Sequence, residues 1–182
     1  SMILYRCCLD SGLNVNYLDS REFIKTKGAY LQGIVLQEQT NKRIQQIDYK
    51  QSYIVPGFIA SNQEGHPSLL GRGGSDYSAA IFAAALKANQ LELWSDVHGM
   101  LSADPSIVPE ASTIQNLSYK EAFELAHFGA KVVYPPTIRP LMTRQIPVYL
   151  KNTFDPTHPG SYIGPNIDNH TKALAKGVSS IS

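Results

Sequence analysis

Leu69-Leu70-Gly71-Arg72-Gly73-Gly74-Ser75-Asp76-Tyr77-Ser78-Ala79-Ala80 places a guanidinium inside a glycine cluster, with a carboxylate close behind and a small-residue apolar run after that. Glycine leaves backbone N–H groups uncovered and takes φ > 0 at little cost. The run over residues 79–86 predicts a helix with small faces that approaches a sheet closely, capped by Ser75 or Gly74. Its N-terminus would turn a positive dipole end toward whatever the glycine amides hold. Arg72 adds a planar fork suited to a carboxylate or a phosphate. A bare Gly-Gly pair is most often a tight turn. With Arg72 on one side and Asp76 on the other, the segment reads as an anion site.

Working outward, residues 52–59 predict a strand that ends in Pro56-Gly57-Phe58 and opens into a turn-rich segment over 61–68. Residues 37–50 carry Ile44 and Ile47 as spaced apolar positions and predict an exposed amphipathic helix. Nearer the start, residues 3–11 are apolar at helical spacing and stop before Gly12, and Val15 and Leu18 then alternate as in a short strand. Downstream, residues 91–94 predict a brief strand, followed by a loop punctuated by Gly99, Asp104-Pro105 and Pro109. Ser118-Tyr119-Lys120-Glu121 matches a capping box, so a helix begins there and runs to about Phe128, ending at Gly129. Another helix starts near Pro136, with Pro140 limiting its length, and residues 148–150 form a strand. Alternating strands and helices predict an α/β fold with a mostly parallel sheet flanked by helices, whose ligands sit at the carboxyl ends of strands. The loops over 61–75 and 95–104 both follow strands and are expected on one rim.

A chain of 182 residues supports one sizeable core with a small appendage. A formal charge of +1 provides no long-range field for nucleic acid or an anionic membrane. The longest apolar run, residues 79–86, falls far short of the ~20 residues of a membrane span. No charged-then-apolar leader opens the chain, so a cytoplasmic protein is expected. Cys7 and Cys8 are adjacent, which suits neither a disulfide framework nor a zinc pair; they read as helix thiols, at least one buried. The five histidines show no i, i+4 pairing, and no protein-only metal centre is expected. His98 and His127 read as structural, and Trp94 as core packing at a strand end. Beyond Gly160, the residues Pro165, Asn166, Asn169 and Lys172 read as a linker before a short apolar stretch at 178–181.

Neither G-x-x-x-x-G-K-[ST] nor a complete G-x-G-x-x-G is present. Four stretches, in this order and spacing, carry a likeness: the glycine block over 70–80, Leu93-Trp94-Ser95-Asp96-Val97-His98-Gly99, Ala103-Asp104-Pro105 through Val108-Pro109, and Glu124-Leu125-Ala126-His127-Phe128-Gly129-Ala130-Lys131-Val132-Val133. Together they resemble the amino acid kinase family and, within it, the aspartate kinases. The resemblance implies an amino acid kinase (carbamate kinase-like) fold incomplete at its N-terminus. Residues 1–163 would be the C-terminal portion of the kinase domain, and 164–182 a linker and the start of an ACT-type regulatory region. The family's amino-terminal Lys-Phe-Gly-Gly segment is not in this sequence.

What the resemblance implies is transfer of the ATP γ-phosphate, with Mg2+ carried by the nucleotide, to the side-chain carboxylate of L-aspartate. The product, aspartyl phosphate, enters lysine, threonine and methionine biosynthesis. A carboxylate is already a nucleophile at neutral pH, so catalysis reduces to alignment and charge neutralisation. By the family pattern Arg72 clamps the substrate aspartate, with Gly71 and Ser75 beside it. Gly73 and Gly74 supply amides to the moving phosphoryl group, and Asp76 organises the reacting centre, by holding the lysine of the absent segment. Ser95, Asp96, Asp104 and Lys131 match nucleotide-side positions. Each of these four has a plain alternative, as a turn or cap residue or a solvated lysine, and the glycine block tips the balance toward function. Leu101, Ser106 and Tyr134 depart from frequent aromatic, arginine and histidine positions of the family. By itself the chain is expected to be inactive, and the full-length enzyme to be a homo-oligomer, fused or not to a homoserine dehydrogenase. The competing readings are an amino acid kinase with a glutamate, uridylate or carbamate acceptor, or a non-catalytic module that senses an amino acid.

Overall fold

The computed structural model describes residues 1–128, 133–165 and 176–177. They fall in two compact units, Ser1–Leu86 and Lys87–Ser182.

The first unit opens with α1 (Met2–Asp10), where Gly12 at φ +77 ends the helix and donates its N–H to the Leu9 carbonyl at 2.9 Å. No residue of α1 is buried; Cys7 is exposed and Cys8 half-exposed, which corrects the expectation of a buried thiol. Next come β1 (Asn16–Tyr17), α2 (Ser20–Phe23), β2 (Lys25–Lys27), β3 (Ile34–Val35) and α3 (Gln37–Ile44). The helix expected over 37–50 stops at Ile44, and Ile47 is buried in the turn that follows. The single strand expected over 52–59 is two, β4 (Tyr53–Ile54) and β5 (Ile59–Asn62). Between them Pro56 has no N–H to give and Phe58 takes φ +74, so neither continues a ladder.

The segment read as turn-rich is a hairpin from β5 to β6 (Pro67–Leu69). Its turn is held by the Asn62 side-chain oxygen, which accepts from the Glu64 and His66 amides. One sheet runs β3-β2-β5-β6, parallel only between β2 and β5, and β1 pairs with β4 in parallel. α4 (Gly74–Leu86) begins at Gly74, so Gly74 and Ser75 both lie inside its first turn and neither is the cap expected from the sequence. Its small residues bury Ala80, Ile81, Ala83, Ala84 and Ala85. Ile81 and Ala85 join Ile24, Ile44, Ile47, Ala60 and Leu70 in one core, each full isoleucine burial contributing roughly 1.5–3 kcal/mol.

The second unit holds β7 (Leu91–Ser95), β8 (Asn116–Leu117), α5 (Tyr119–Phe128), α6 (Pro135–Arg144), β9 (Val148–Asn152) and β10 (Ser161–Ile163). Its sheet runs β7-β9-β10-β8, with β7–β9 and β8–β10 parallel and β9–β10 antiparallel. Inward residues Val148, Leu150 and Ile163 pack in a core with Leu117, Ile138 and Leu141. The capping box forms as expected: the Ser118 hydroxyl accepts from the Glu121 amide at 3.1 Å, and the Glu121 carboxylate accepts from the Ser118 amide at 2.7 Å. α6 starts on Pro135-Pro136, where missing N–H groups are no loss, and tolerates Pro140 inside. Gln145 at φ +56 closes it. The class is α/β, with sheets more mixed than the sequence suggested. The expected helix stop at Gly129, Lys131, and the stretch at 178–181 lie outside the described residues, as does most of the linker.

Candidate anion-binding site

Leaving β6, the chain donates the Leu70 N–H to the Phe58 carbonyl at 2.9 Å and turns through Gly71 at φ +75 and Gly73 at φ +66. Arg72, between them, keeps negative φ, and this alternation turns successive N–H groups to one side as an anion nest. The Gly74 amide donates to the Gly71 carbonyl at 3.0 Å, and the Tyr77 amide to Gly73 at 3.1 Å, which starts α4. Among the described residues, the amides of Arg72, Gly73, Ser75 and Asp76 have no backbone acceptor. They sit at the positive end of a 13-residue helix.

Close packing dictates glycine at two of these positions. A Cβ on Gly74 would lie 2.8 Å from Phe58 Cδ2 and 3.0 Å from Leu70 Cβ, and one on Gly57 would lie 3.0 Å from Ser75 Cα. The result is an open depression of ≈ 630 Å³ lined by residues 71–76 on its polar side and by Leu31, Phe58 and Leu69 on its apolar side. Gly71, Arg72, Gly73, Gly74, Ser75 and Asp76, all named from sequence, therefore share one site. Arg72 is exposed, free to reach a ligand, while Asp76 is half-buried. Burial pushes the Asp76 carboxyl above the usual aspartate value, and among the described residues no cation pairs with it. Sequence reasoning missed Leu31, and missed that Phe58 adopts a left-handed backbone; the Pro56-Gly57 pair was the available signal.

In the second unit, Ser95 and Asp96 are exposed at the carboxyl end of β7, where the Ser95 carbonyl accepts the Thr153 amide at 2.8 Å. The Asp104 carboxylate is drawn onto its own turn, accepting the Ser106 amide at 2.9 Å and the Ser106 hydroxyl at 2.6 Å. Ser106, standing where an arginine is frequent, thus caps the turn. Lys131 lies outside the described residues.

One aromatic reading changes, that of Trp94, while His98 keeps its structural reading and gains partners. Trp94 is 46% exposed and not core: its indole N–H donates to Glu92 at 3.0 Å, and Lys151 Nζ lies 5.1 Å from the ring centroid, 3.3 Å from Glu92. His98 Nε2 lies 3.2 Å from Asp155 Oδ2, and its ring sits 4.5 Å from that of His158, whose Nδ1 accepts the Gly160 amide. Those partners are too distant in sequence to be read from it. His127 stacks on Phe123 at 6.3 Å. Among the described residues, no three His, Cys, Asp or Glu side chains are grouped to hold a metal ion, and no helix is long and apolar enough to cross a membrane.

The model of the amino acid kinase family matches residues 1–152. A bifunctional aspartokinase/homoserine dehydrogenase of Haemophilus influenzae is 42% identical over 172 residues, which cover 93% of this chain and 21% of that protein. An aspartokinase of Chlamydia pneumoniae is 38% identical over 157 residues, 86% of this chain and 36% of that protein. Among solved structures, aspartokinase III of E. coli in complex with aspartate and ADP superposes with a TM-score of 0.88 at 30% identity, covering 92% of this chain and 38% of that one. The chain thus spans between about a fifth and two fifths of these relatives.

Proposed function

Because the chain belongs to the amino acid kinase family and is aspartokinase-like, we propose that the complete polypeptide carrying it transfers the ATP γ-phosphate to the side-chain carboxylate of L-aspartate. One observation carries this reading: a nest of uncovered amides, an exposed guanidinium and a half-buried carboxylate, unpartnered among the described residues, around one depression. Such a set binds an anionic acceptor and stabilises charge spread over a moving phosphoryl group. Arg72 grips the acceptor amino acid through its carboxylate. The Gly74 amide, expected to face the phosphoryl group beside that of Gly73, donates to the Gly71 carbonyl instead, so the amides of Gly73 and Ser75 face the transferred phosphoryl oxygens. Mg2+ arrives with the nucleotide and neutralises its phosphates. The Asp76 carboxylate, desolvated and without a cation among the described residues, organises the reacting centre by holding a lysine ammonium from a Lys-Phe-Gly-Gly segment of the complete polypeptide. Ser95 and Asp96, at a strand end, address ribose and base edges; Asp104 and Lys131 serve the same nucleotide, the lysine as a point charge toward phosphate or base. A homo-oligomer in the cytoplasm completes this reading.

The test is a coupled assay on the complete polypeptide with MgATP and L-aspartate, followed by glutamate, uridylate and carbamate. Turnover confined to aspartate is expected; turnover only with another acceptor, or with none, rejects the assignment, and ligand binding without turnover favours a sensing module. Arg72→Ala should abolish acceptance of aspartate and leave MgATP affinity within about twofold, because a clamp on one substrate carries little binding energy for the other. Loss of both would reject the division of roles.

A further inference from the structure

We propose that Ser78 is a positioning residue for the acceptor site, its hydroxyl locking the turn at Phe58 onto the first turn of α4. This rests on the reading of the glycine loop as the acceptor's cradle. Ser78 is 3% exposed within a run of alanines. Its hydroxyl donates to the Gly74 carbonyl at 2.6 Å and accepts the Phe58 amide at 2.9 Å. The first bond alone gives a helix nothing, since back-bonding to the residue four before slightly weakens it and alanine is the better helix former. The second bond is the one that reaches outside the helix.

Phe58 is where that bond matters. It holds φ +74, a conformation that a side chain bearing a Cβ adopts only when its surroundings impose it. Its amide is tied to α4 through Ser78, and its carbonyl accepts the Leu70 amide at 2.9 Å, so its two backbone groups grip both ends of the 71–76 loop. The Phe58 ring forms part of the apolar wall of the depression, with Leu31 and Leu69, and leaves no room for a Cβ on Gly74. Removing the Ser78 hydroxyl releases the amide of a strained residue, and the wall and nest lose their fixed relation. No ligand need touch Ser78 for this.

The experiment measures steady-state kinetics of the complete polypeptide with Ser78→Ala and Ser78→Thr. For Ser78→Ala, kcat/KM toward aspartate should fall roughly tenfold or more, as displacement of a binding group by under an ångström does, while the KM for MgATP stays within about twofold. Ser78→Thr keeps the hydroxyl and should recover most of the loss. Gly74→Ala, whose Cβ meets the Phe58 ring, should raise the aspartate KM in the same selective way. Wild-type aspartate kinetics in Ser78→Ala overturn the inference, as does an equal loss toward both substrates that Ser78→Thr fails to restore. A wild-type polypeptide that does not phosphorylate aspartate instead brings down the underlying reading, and this inference with it.

Discussion

Asp76 shows at the scale of one residue how a functional group can work against stability. Burial raises its pKa, so the folded state holds the ionised form at a cost that the unfolded chain does not bear. As pH falls through the raised folded value, the folded state takes up the proton first and that cost disappears. Asp76→Asn removes the charge while keeping the shape. Thermal melts of this chain at pH 7 should therefore place the variant's midpoint no lower than the wild type's, with any gain fading in acid, whereas the complete polypeptide should lose at least about 100-fold in kcat. A clear drop in the pH 7 midpoint would mean that the carboxylate has a stabilising partner. Asp76 and Arg72 were legible because adjacent residue types carry their chemistry in local order. His98 and Trp94 were not, since Asp155 and Lys151 reach them only through the fold.

At the scale of elements, signals confined to four or five consecutive residues came through and those shared between distant segments did not. The capping box at Ser118 is a local reciprocal bond pair, so its sequence is enough to place the start of α5. β2, β3, β8 and β10 are two or three residues long, too short to show alternation, and exist only because a neighbour supplies the ladder. Pro56-Gly57 was read as the close of one strand, whereas it separates β4 from β5. Ser118→Ala should cost about 1 kcal/mol, the usual value of a lost N-cap, and the loss should be local. Hydrogen exchange that quickens in the first turn of α5, with protection in β9 unchanged, is the expected result; unchanged exchange in α5 would show that its start is held by packing alone.

Across the whole molecule, the same discrimination between local and distant information sets the topology. The antiparallel pairs β2–β3 and β5–β6 join segments close in sequence, whereas the parallel pairs β1–β4, β2–β5, β7–β9 and β8–β10 join segments tens of residues apart. Alternating elements predicted parallel pairing in general but could not say which strands would meet. Charge behaves as another whole-molecule property. The Arg21 guanidinium holds Asp19 below its ordinary value of 3.8, and the Thr157 hydroxyl, with His98, does the same for Asp155. Burial works against Glu121, but the Ser118 amide, Lys176 and the Ser118 hydroxyl together hold it below 4.5. Each depressed carboxyl contributes stability that is present above its unfolded value and lost as pH falls through its folded one. Asp76 acts in the opposite sense. On the alkaline side, burial pushes Tyr119 up to about 12, its hydroxyl donating to the Ile146 carbonyl at 2.7 Å; that contribution is complete below 10 and lost as pH rises through 12. The melting midpoint should therefore fall below about pH 4.5, and above about pH 10 Tyr119 should pull it down against Lys25, whose pKa burial holds below its ordinary value and which acts in the opposite sense. Asp19→Asn should flatten the acid limb and leave the alkaline one alone, whereas Tyr119→Phe should do the reverse. A midpoint that rises between pH 5 and 3 would show that groups buried in their neutral form, not paired carboxylates, govern the acid side.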